Sequence, residues 1–276
     1  MTKLPNLAEM LKAGVHFGHQ TSRWHPKMAP YIFGARNGVH IINLEETVKE
    51  LEKTLDYVKN LAAKGKVILF VGTKKQAREI IKQAAESCGM PYITERWIGG
   101  LITNFDEVKR RLRKYNTLQS EVTSGEIEKY VKKEQSKFKK QLVKMDRYLS
   151  GIIKLEKMPD ALYIADLRLE KTAVTEANRM NVPVVAVVDS NVNPTKASYV
   201  IPANDDAVNS IKMMAELMAV AVDEGKEEFE KQKAVMVKEE KKVENKPAAA
   251  VKPVAKVAAK PVARKEYRPL KKEGSI

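Results

Sequence analysis

Several groups of side chains in this sequence could do chemistry, and each has a plainer use. Gly72-Thr73-Lys74-Lys75 follows the apolar run Val67 to Val71. A strand emptying into a lysine-bearing turn ahead of a helix offers free amides and positive charge to a phosphate. The spacing is neither G-x-x-x-x-G-K-[ST] nor G-x-G-x-x-G, so it specifies no nucleotide, and an RNA phosphate would use the same amides. His16 and His19, with Asp189 or Asp205, could surround a cation across the end of a sheet. A structural zinc site takes four ligands, often including cysteine. Cys88 is the only cysteine, so loop hydrogen bonding or RNA stacking competes for these histidines, as for His25 and His40. Asp166 and Asp189 close apolar runs, where doubly wound enzymes place their reacting groups. Helix capping is their plainer role, since no G-x-S-x-G and no nucleophile–base pair accompanies them.

A different chemistry is suggested by cations beside aromatic rings. Arg23-Trp24 and Arg96-Trp97 fall in loops, and Lys109, Arg110, Arg113, Lys132, Lys133, Lys137, Lys139 and Lys140 ride on a helical stretch. Stacking combined with phosphate pairing is how irregular RNA is held. The bland alternatives are a solvated helix face, and a Trp97 that caps the core.

The elements that must position these groups are organised around a junction, Arg96-Trp-Ile-Gly-Gly-Leu-Ile-Thr-Asn104. Gly99-Gly100 permits a sharp turn or a close backbone approach, and Thr103 and Asn104 are N-cap candidates. Before the junction, Leu7, Met10 and Leu11 give a short helix ending at Gly14, followed by a proline-punctuated loop from His16 to Pro30. Strands are predicted over Tyr31–Gly34 and Val39–Asn43, with an Asn37-Gly38 hairpin turn between them. Asn43 with Glu46 reads as a capping box for a helix with apolar positions Val48, Leu51, Leu55, Val58 and Ala62. The run Val67–Val71 suits a strand covered on both faces. A helix through Ala77, Ile80, Ile81 and Ala84 follows, ending at Cys88-Gly89, and then a short strand at Tyr92–Thr94.

After the junction, Phe105, Val108, Leu112, Tyr115 and Leu118 or Gln119 mark one seam, and Val131, Phe138, Leu142, Met145, Leu149 and Ile152 mark another. Ser124-Gly125 turns between them, which predicts an antiparallel coiled-coil helical hairpin with one narrow apolar seam, protruding from the body. From Pro159 the alternation resumes with strands at Asp160–Ala165, Val184–Val188 and Tyr199–Ile201, and helices from about Thr172 and beyond Asp206. Alternating strands and helices imply an α/β fold with a doubly wound, mostly parallel sheet. The expected domains are a discontinuous globular body, 1–104 with 158–225, a hairpin insert over 105–157, a charged helical extension over 226–245 and a disordered basic tail over 246–276.

Charge separates along the chain. Net charge is +15 over 276 residues. Residues 1–104 carry 15 basic against 9 acidic side chains, residues 105–157 carry 15 against 8, residues 158–245 carry 11 against 16, and residues 246–276 carry 9 against 2. Such polarity suggests one face against a polyanion and another turned away. No stretch approaches the roughly 20 apolar residues of a membrane span, and Met-Thr-Lys-Leu-Pro-Asn lacks an export signal core, so a reducing cytoplasm is expected.

Taken together, His16-Phe-Gly-His19, Pro26-Lys-Met28, Asn37-Gly-Val-His-Ile-Ile-Asn-Leu44, Phe70-Val-Gly-Thr-Lys74, Arg96-Trp-Ile-Gly-Gly100 with Thr103-Asn104, and Ile201-Pro-Ala-Asn-Asp-Asp206 resemble bacterial small-subunit ribosomal protein two. The resemblance covers about residues 5–225. It implies a flavodoxin-like domain bearing a coiled-coil hairpin, placed between head and body of the small ribosomal subunit and bound to small-subunit ribosomal RNA. It also implies a role in recruiting ribosomal protein one, which captures messenger RNA, beside neighbouring small-subunit proteins. Binding rather than turnover is then expected, with no cofactor, no membrane and no small-molecule substrate. The residues assigned to RNA are His16, His19, Arg23, Trp24, Lys27, Arg36, Lys74, Lys75, Arg96, Trp97, Asn104, Lys109, Arg110, Arg113, Lys132, Lys133, Lys137, Lys139 and Lys140. The competing class is an α/β enzyme or binding protein for a nucleotide or phosphosugar, built on Lys74, Asp166 and Asp189. A third is an adaptor that binds mainly through its tail.

Overall fold

A computed structural model describes residues 4–244. Helix α1 (Leu7–Ala13) leads into strands β1 (Phe17–Gln20), β2 (Ile32–Arg36) and β3 (Val39–Ile42), then helix α2 (Leu44–Ala62). Strand β4 (Ile68–Val71), helix α3 (Arg78–Ser87) and strand β5 (Tyr92–Ile93) follow. Helices α4 (Phe105–Thr123) and α5 (Lys132–Leu149) lie between β5 and β6 (Ala161–Ile164). Helix α6 (Lys171–Arg179), strands β7 (Val184–Val188) and β8 (Tyr199–Pro202), and helix α7 (Val208–Glu244) complete the order. Compact packing extends through Val235, and no described helix is long and apolar enough to cross a membrane.

The main sheet has the order β5-β4-β6-β7-β8, with every neighbouring pair parallel. Numbered within the sheet this is the flavodoxin-like arrangement 2-1-3-4-5, whose switch point falls between β4 and β6. Strands β4, β6 and β7 are buried at every position, which explains their unbroken apolar sequences. Alternate residues serve opposite layers. Phe70, Tyr163 and Val185 pack with Leu51, Leu55, Ile81, Ile211, Met218 and Val222 from α2, α3 and α7. Leu69, Ile164 and Ala186 pack with Trp97, Leu112, Tyr115, Leu149, Val174 and Ala177 on the other side.

A second, antiparallel sheet has the order β1-β3-β2. Its β2–β3 turn is Asn37-Gly38, with φ of 52° and 75°, the left-handed pair that the dipeptide predicts. Strand β1 overturns the expected loop. Its alternation is invisible because only its middle residues are partly covered, and its partner β3 lies some twenty residues further on.

Other local expectations shift. Asn43 caps α2 by accepting from the Glu45 amide at 3.1 Å, while Glu46 turns outward to Lys49, so no capping box forms there. A reciprocal contact does occur at α1, where Glu9 accepts from the Asn6 amide at 2.9 Å. Asn104 occupies the N-cap of α4 without a side-chain bond. Between α4 and α5 the chain adds a 3-10 turn, Glu126–Lys129, after Gly125. This turn buries Ile127 and leaves Val131 70% exposed, outside the seam assigned to it. On the α4 seam Val108, Leu112, Tyr115 and Leu118 are buried and Phe105 is half-buried, and Tyr115 donates to Asp146 on α5 at 2.6 Å. Within α7, Phe229 lies over Gly65 and Glu228 pairs with Lys59 at 2.8 Å. The tail proposed for 246–276 lies outside the described residues.

Candidate functional site

The carboxyl edge of the parallel sheet gathers most of the chain's buried charge. Lys74, in the loop after β4, reaches across the switch point. Its Nζ lies 2.9 Å from Asp205 Oδ1, 2.6 Å from Asp206 Oδ1 and 3.5 Å from Asp166 Oδ2. It also donates to the Asp205 carbonyl at 2.7 Å. Burial alone would lower the Lys74 pKa, but hydrogen bonds to Asp206 and Asp205 and the charges of Asp205 and Asp166 carry it upward. Helix α3 begins only at Arg78, so Lys74 is not at a free helix N-terminus. The Thr73 amide donates to Glu170 at 3.1 Å.

His19 brings the smaller sheet to this edge. Its Nδ1 stands 3.0 Å from Asp189 Oδ2 and its Nε2 3.4 Å from Asp206 Oδ2. The backbone amide of His19 donates to Ser190 Oγ at 2.8 Å. Gly18 permits that approach, since a Cβ there would lie 2.8 Å from Ser190 Oγ and 3.1 Å from the His40 carbonyl. The Asp189 hydrogen bond raises the His19 pKa against the opposing effect of burial. Asp205 is pushed up to about 7 by burial and by Asp166 and Asp189, with Lys74 pulling the other way. Burial acts upward on Asp206 too, but the hydrogen bond and charge of Lys74 leave its pKa lowered.

One ligand atom each from His19, Asp205 and Asp206 lies within 4.8 Å of the others, the spacing a cation would need. The ammonium of Lys74 already occupies the space between these two carboxylates, at 2.9 Å from Asp205 and 2.6 Å from Asp206. Of the four residues that the sequence placed around a cation, His19 and Asp205 fall in this group. Asp189 acts behind His19. His16 does not join; its ring lies tilted by 38° against Phe17 with centroids 4.0 Å apart, and its buried Nδ1 has no hydrogen-bond partner among the described residues.

A second constellation organises the glycine-containing junction. Glu176 on α6 accepts from the Trp97 indole N–H at 3.1 Å, the Gly100 amide at 2.9 Å and the Ile102 amide at 3.2 Å. The Thr103 hydroxyl also turns to it, at 3.4 Å, rather than capping α4. Gly100 takes a φ of 86°, which turns successive amides inward onto one carboxylate. Burial would raise the Glu176 pKa, but this ring of donors lowers it. No sequence signal marks Glu176 beyond its being one acid on an amphipathic helix.

The residues assigned to RNA fall in different settings. Trp97 is 8% exposed and closed to a stacking base. Lys74 and His19 face carboxylates, so neither offers free charge outward. Arg23, Trp24, Lys27, Arg36, Lys75, Arg96, Asn104, Arg110, Arg113, Lys132, Lys133, Lys137, Lys139 and Lys140 are exposed, and Lys109 is half-buried. Trp24, 40% exposed, leans on His40 at 5.2 Å between ring centroids. Arg110 pairs with Glu107 at 3.2 Å. Lys132, Lys133, Lys137, Lys139 and Lys140 make no ion pair among the described residues. A family model described as ribosomal protein S2 matches residues 10–225, from α1 to the packed part of α7.

Proposed function

The chain belongs to the ribosomal protein S2 family, and from that premise we propose that it holds its place in the small ribosomal subunit by gripping ribosomal RNA. The family gives a structural role in the small subunit and ribosomal partners. In this reading α4 and α5 form a projecting coiled-coil hairpin, the insert over 105–157. Its lysines pair with RNA phosphates together with Arg23, Lys27, Arg36, Lys75 and Arg96, while Trp24 supplies a stacking surface. Residues 1–104 with 158–225 are the rigid body that carries these arms. The extension over 226–245 and the tail over 246–276 contribute outside that grip. The protein further helps to recruit ribosomal protein one, a part that rests on the family likeness alone.

The observation that carries the reading is the uncommitted charge on α5. Lys132, Lys133, Lys137, Lys139 and Lys140 are all exposed and without an acidic partner among the described residues, five such cations within nine positions of one helix. Charge left unpaired on one helix suits a polyanion. An enzyme reading on Lys74, Asp166 and Asp189 is disfavoured, because Lys74 is already ion-paired and Asp166 caps its own loop, accepting from the Arg168 amide at 2.8 Å. The test is sedimentation of the full chain with small subunits across a salt series. Co-sedimentation that weakens as salt rises supports the reading. A protein that stays in the supernatant at moderate salt, or that binds a nucleotide without salt dependence, refutes it.

A further inference from the structure

Counted along the sequence, residues 158–245 are acidic, with 16 acidic against 11 basic side chains. Counted in space, four of those sixteen acids are inside. Asp166, Glu170, Asp189 and Asp205 are buried, and Glu176 faces the junction loop. The cations of the same segment are left on the surface, and three of them converge. A cup of about 240 Å³ is lined by His25, Arg168, Lys171 and Lys196, together with Asn191 and Asn193. No acidic side chain lines it. Arg168, Lys171 and Lys196 are exposed and make no ion pair among the described residues.

His25 and Lys27 add donors to the cup, while the buried Asn191 Oδ1 is an acceptor with no hydrogen-bond partner among the described residues. His25 Nδ1 accepts from the Lys27 amide at 3.2 Å, so a neutral His25 ring carries its proton on Nε2 and is a donor there. Lys27 itself reaches Thr195 beside the cup at 3.5 Å, which adds a further cation at the rim. The volume falls below the roughly 300 Å³ at which sites for whole small molecules begin, and no Phe, Tyr or Trp lines the wall to hold a base. Such a cavity suits one phosphate with its sugar, supplied by a polymer that passes over it.

We propose that the cup formed by His25, Arg168, Lys171 and Lys196 holds a backbone phosphate of small-subunit ribosomal RNA. The inference rests on the RNA-binding reading above. It adds a contact on the half of the chain whose acidic count suggested a face turned away from a polyanion.

The experiment uses the full chain carrying Arg168→Gln, Lys171→Gln and Lys196→Gln, titrated against naked small-subunit RNA and against small subunits lacking this protein, over a salt series. The variant is expected to bind both about tenfold or more weakly, with a salt slope shallower by about one, since one phosphate leaves the count. The charge-conserving set Arg168→Lys, Lys171→Arg and Lys196→Arg should keep the wild-type slope, and Lys212→Gln, a surface control on α7, should change nothing. If the triple variant fails to melt cooperatively, Lys196→Gln alone gives the same reading with a smaller loss. A salt-dependent wild type whose slope and affinity the substitutions leave unchanged overturns the cup alone. Weaker binding to subunits with unaltered binding to naked RNA also overturns it, and assigns the cup to an acidic protein. A wild type that does not bind RNA removes the function reading and the cup together.

Discussion

Glu176 on α6 and Trp97 in the junction loop are 79 positions apart and joined by an indole-to-carboxylate hydrogen bond of 3.1 Å. Through this contact one acid fixes the loop that launches α4, because the same carboxylate also takes the Gly100 and Ile102 amides. The helices proposed to grip RNA therefore depend on an acid of α6 that holds the loop before them.

Replacing Glu176 with Ala strands those donors, and an unsatisfied buried donor costs about 1–3 kcal/mol. Glu176→Ala should lower the unfolding free energy by about that amount, measured in urea. A change below about 0.5 kcal/mol would show that water replaces the carboxylate without loss. The pH sense follows from the lowered pKa of Glu176. Its contribution is complete above the ordinary glutamate value of 4.5 and is lost as pH falls through the folded value, so the stability gap between wild type and variant should close in acid.

The Lys74 cluster predicts the opposite slope. Asp205 rises from 3.8 to about 7 on folding, so over that window the native state binds the extra proton and stability falls as pH rises. His19, also raised, acts in the same sense, because its pairing with Asp189 is lost as pH climbs through its folded value. Unfolding free energy measured from pH 4 to 8 should decline more steeply for the wild type than for Asp205→Asn. Parallel curves would mean that Asp205 is ionised throughout.

Gly18→Ala places a methyl against Ser190 Oγ and the His40 carbonyl. Overpacking of this kind costs about 1–3 kcal/mol, which for a chain of this size lowers Tm by roughly 2–4 °C per kcal/mol. Differential scanning calorimetry reads it. An unchanged Tm would show that the smaller sheet moves freely on the body.

The two tryptophans should respond differently to RNA. Trp24 is 40% exposed and Trp97 is 8% exposed. In Trp97→Phe the remaining fluorescence should be quenched by iodide and protected when small-subunit RNA is added. In Trp24→Phe it should resist iodide with or without RNA. Equal responses would remove Trp24 from the interface.

What could be read in advance was local or periodic. The strands β4, β6 and β7 are apolar on both faces and stand out as unbroken runs, and Asn37-Gly38 carries its turn geometry in two residues. What stayed hidden depends on partners far away in sequence. Lys74 looks like a phosphate ligand until Asp205, 131 positions later, takes its ammonium. Trp97 looks like a stacking surface until α6 closes over it. The His25–Lys196 cup is invisible to a charge count because neighbouring acids in the same segment point inward. Strand β1 has a weak alternation, so only its pairing with β3 reveals it.

The account as a whole depends on the charge of α5. Full-length protein carrying Lys137→Glu, Lys139→Glu and Lys140→Glu should keep the wild-type melting transition, since all three side chains are exposed, yet show markedly reduced co-sedimentation with small ribosomal subunits at moderate salt. Undiminished co-sedimentation of a folded variant would contradict the claim that this helix grips ribosomal RNA.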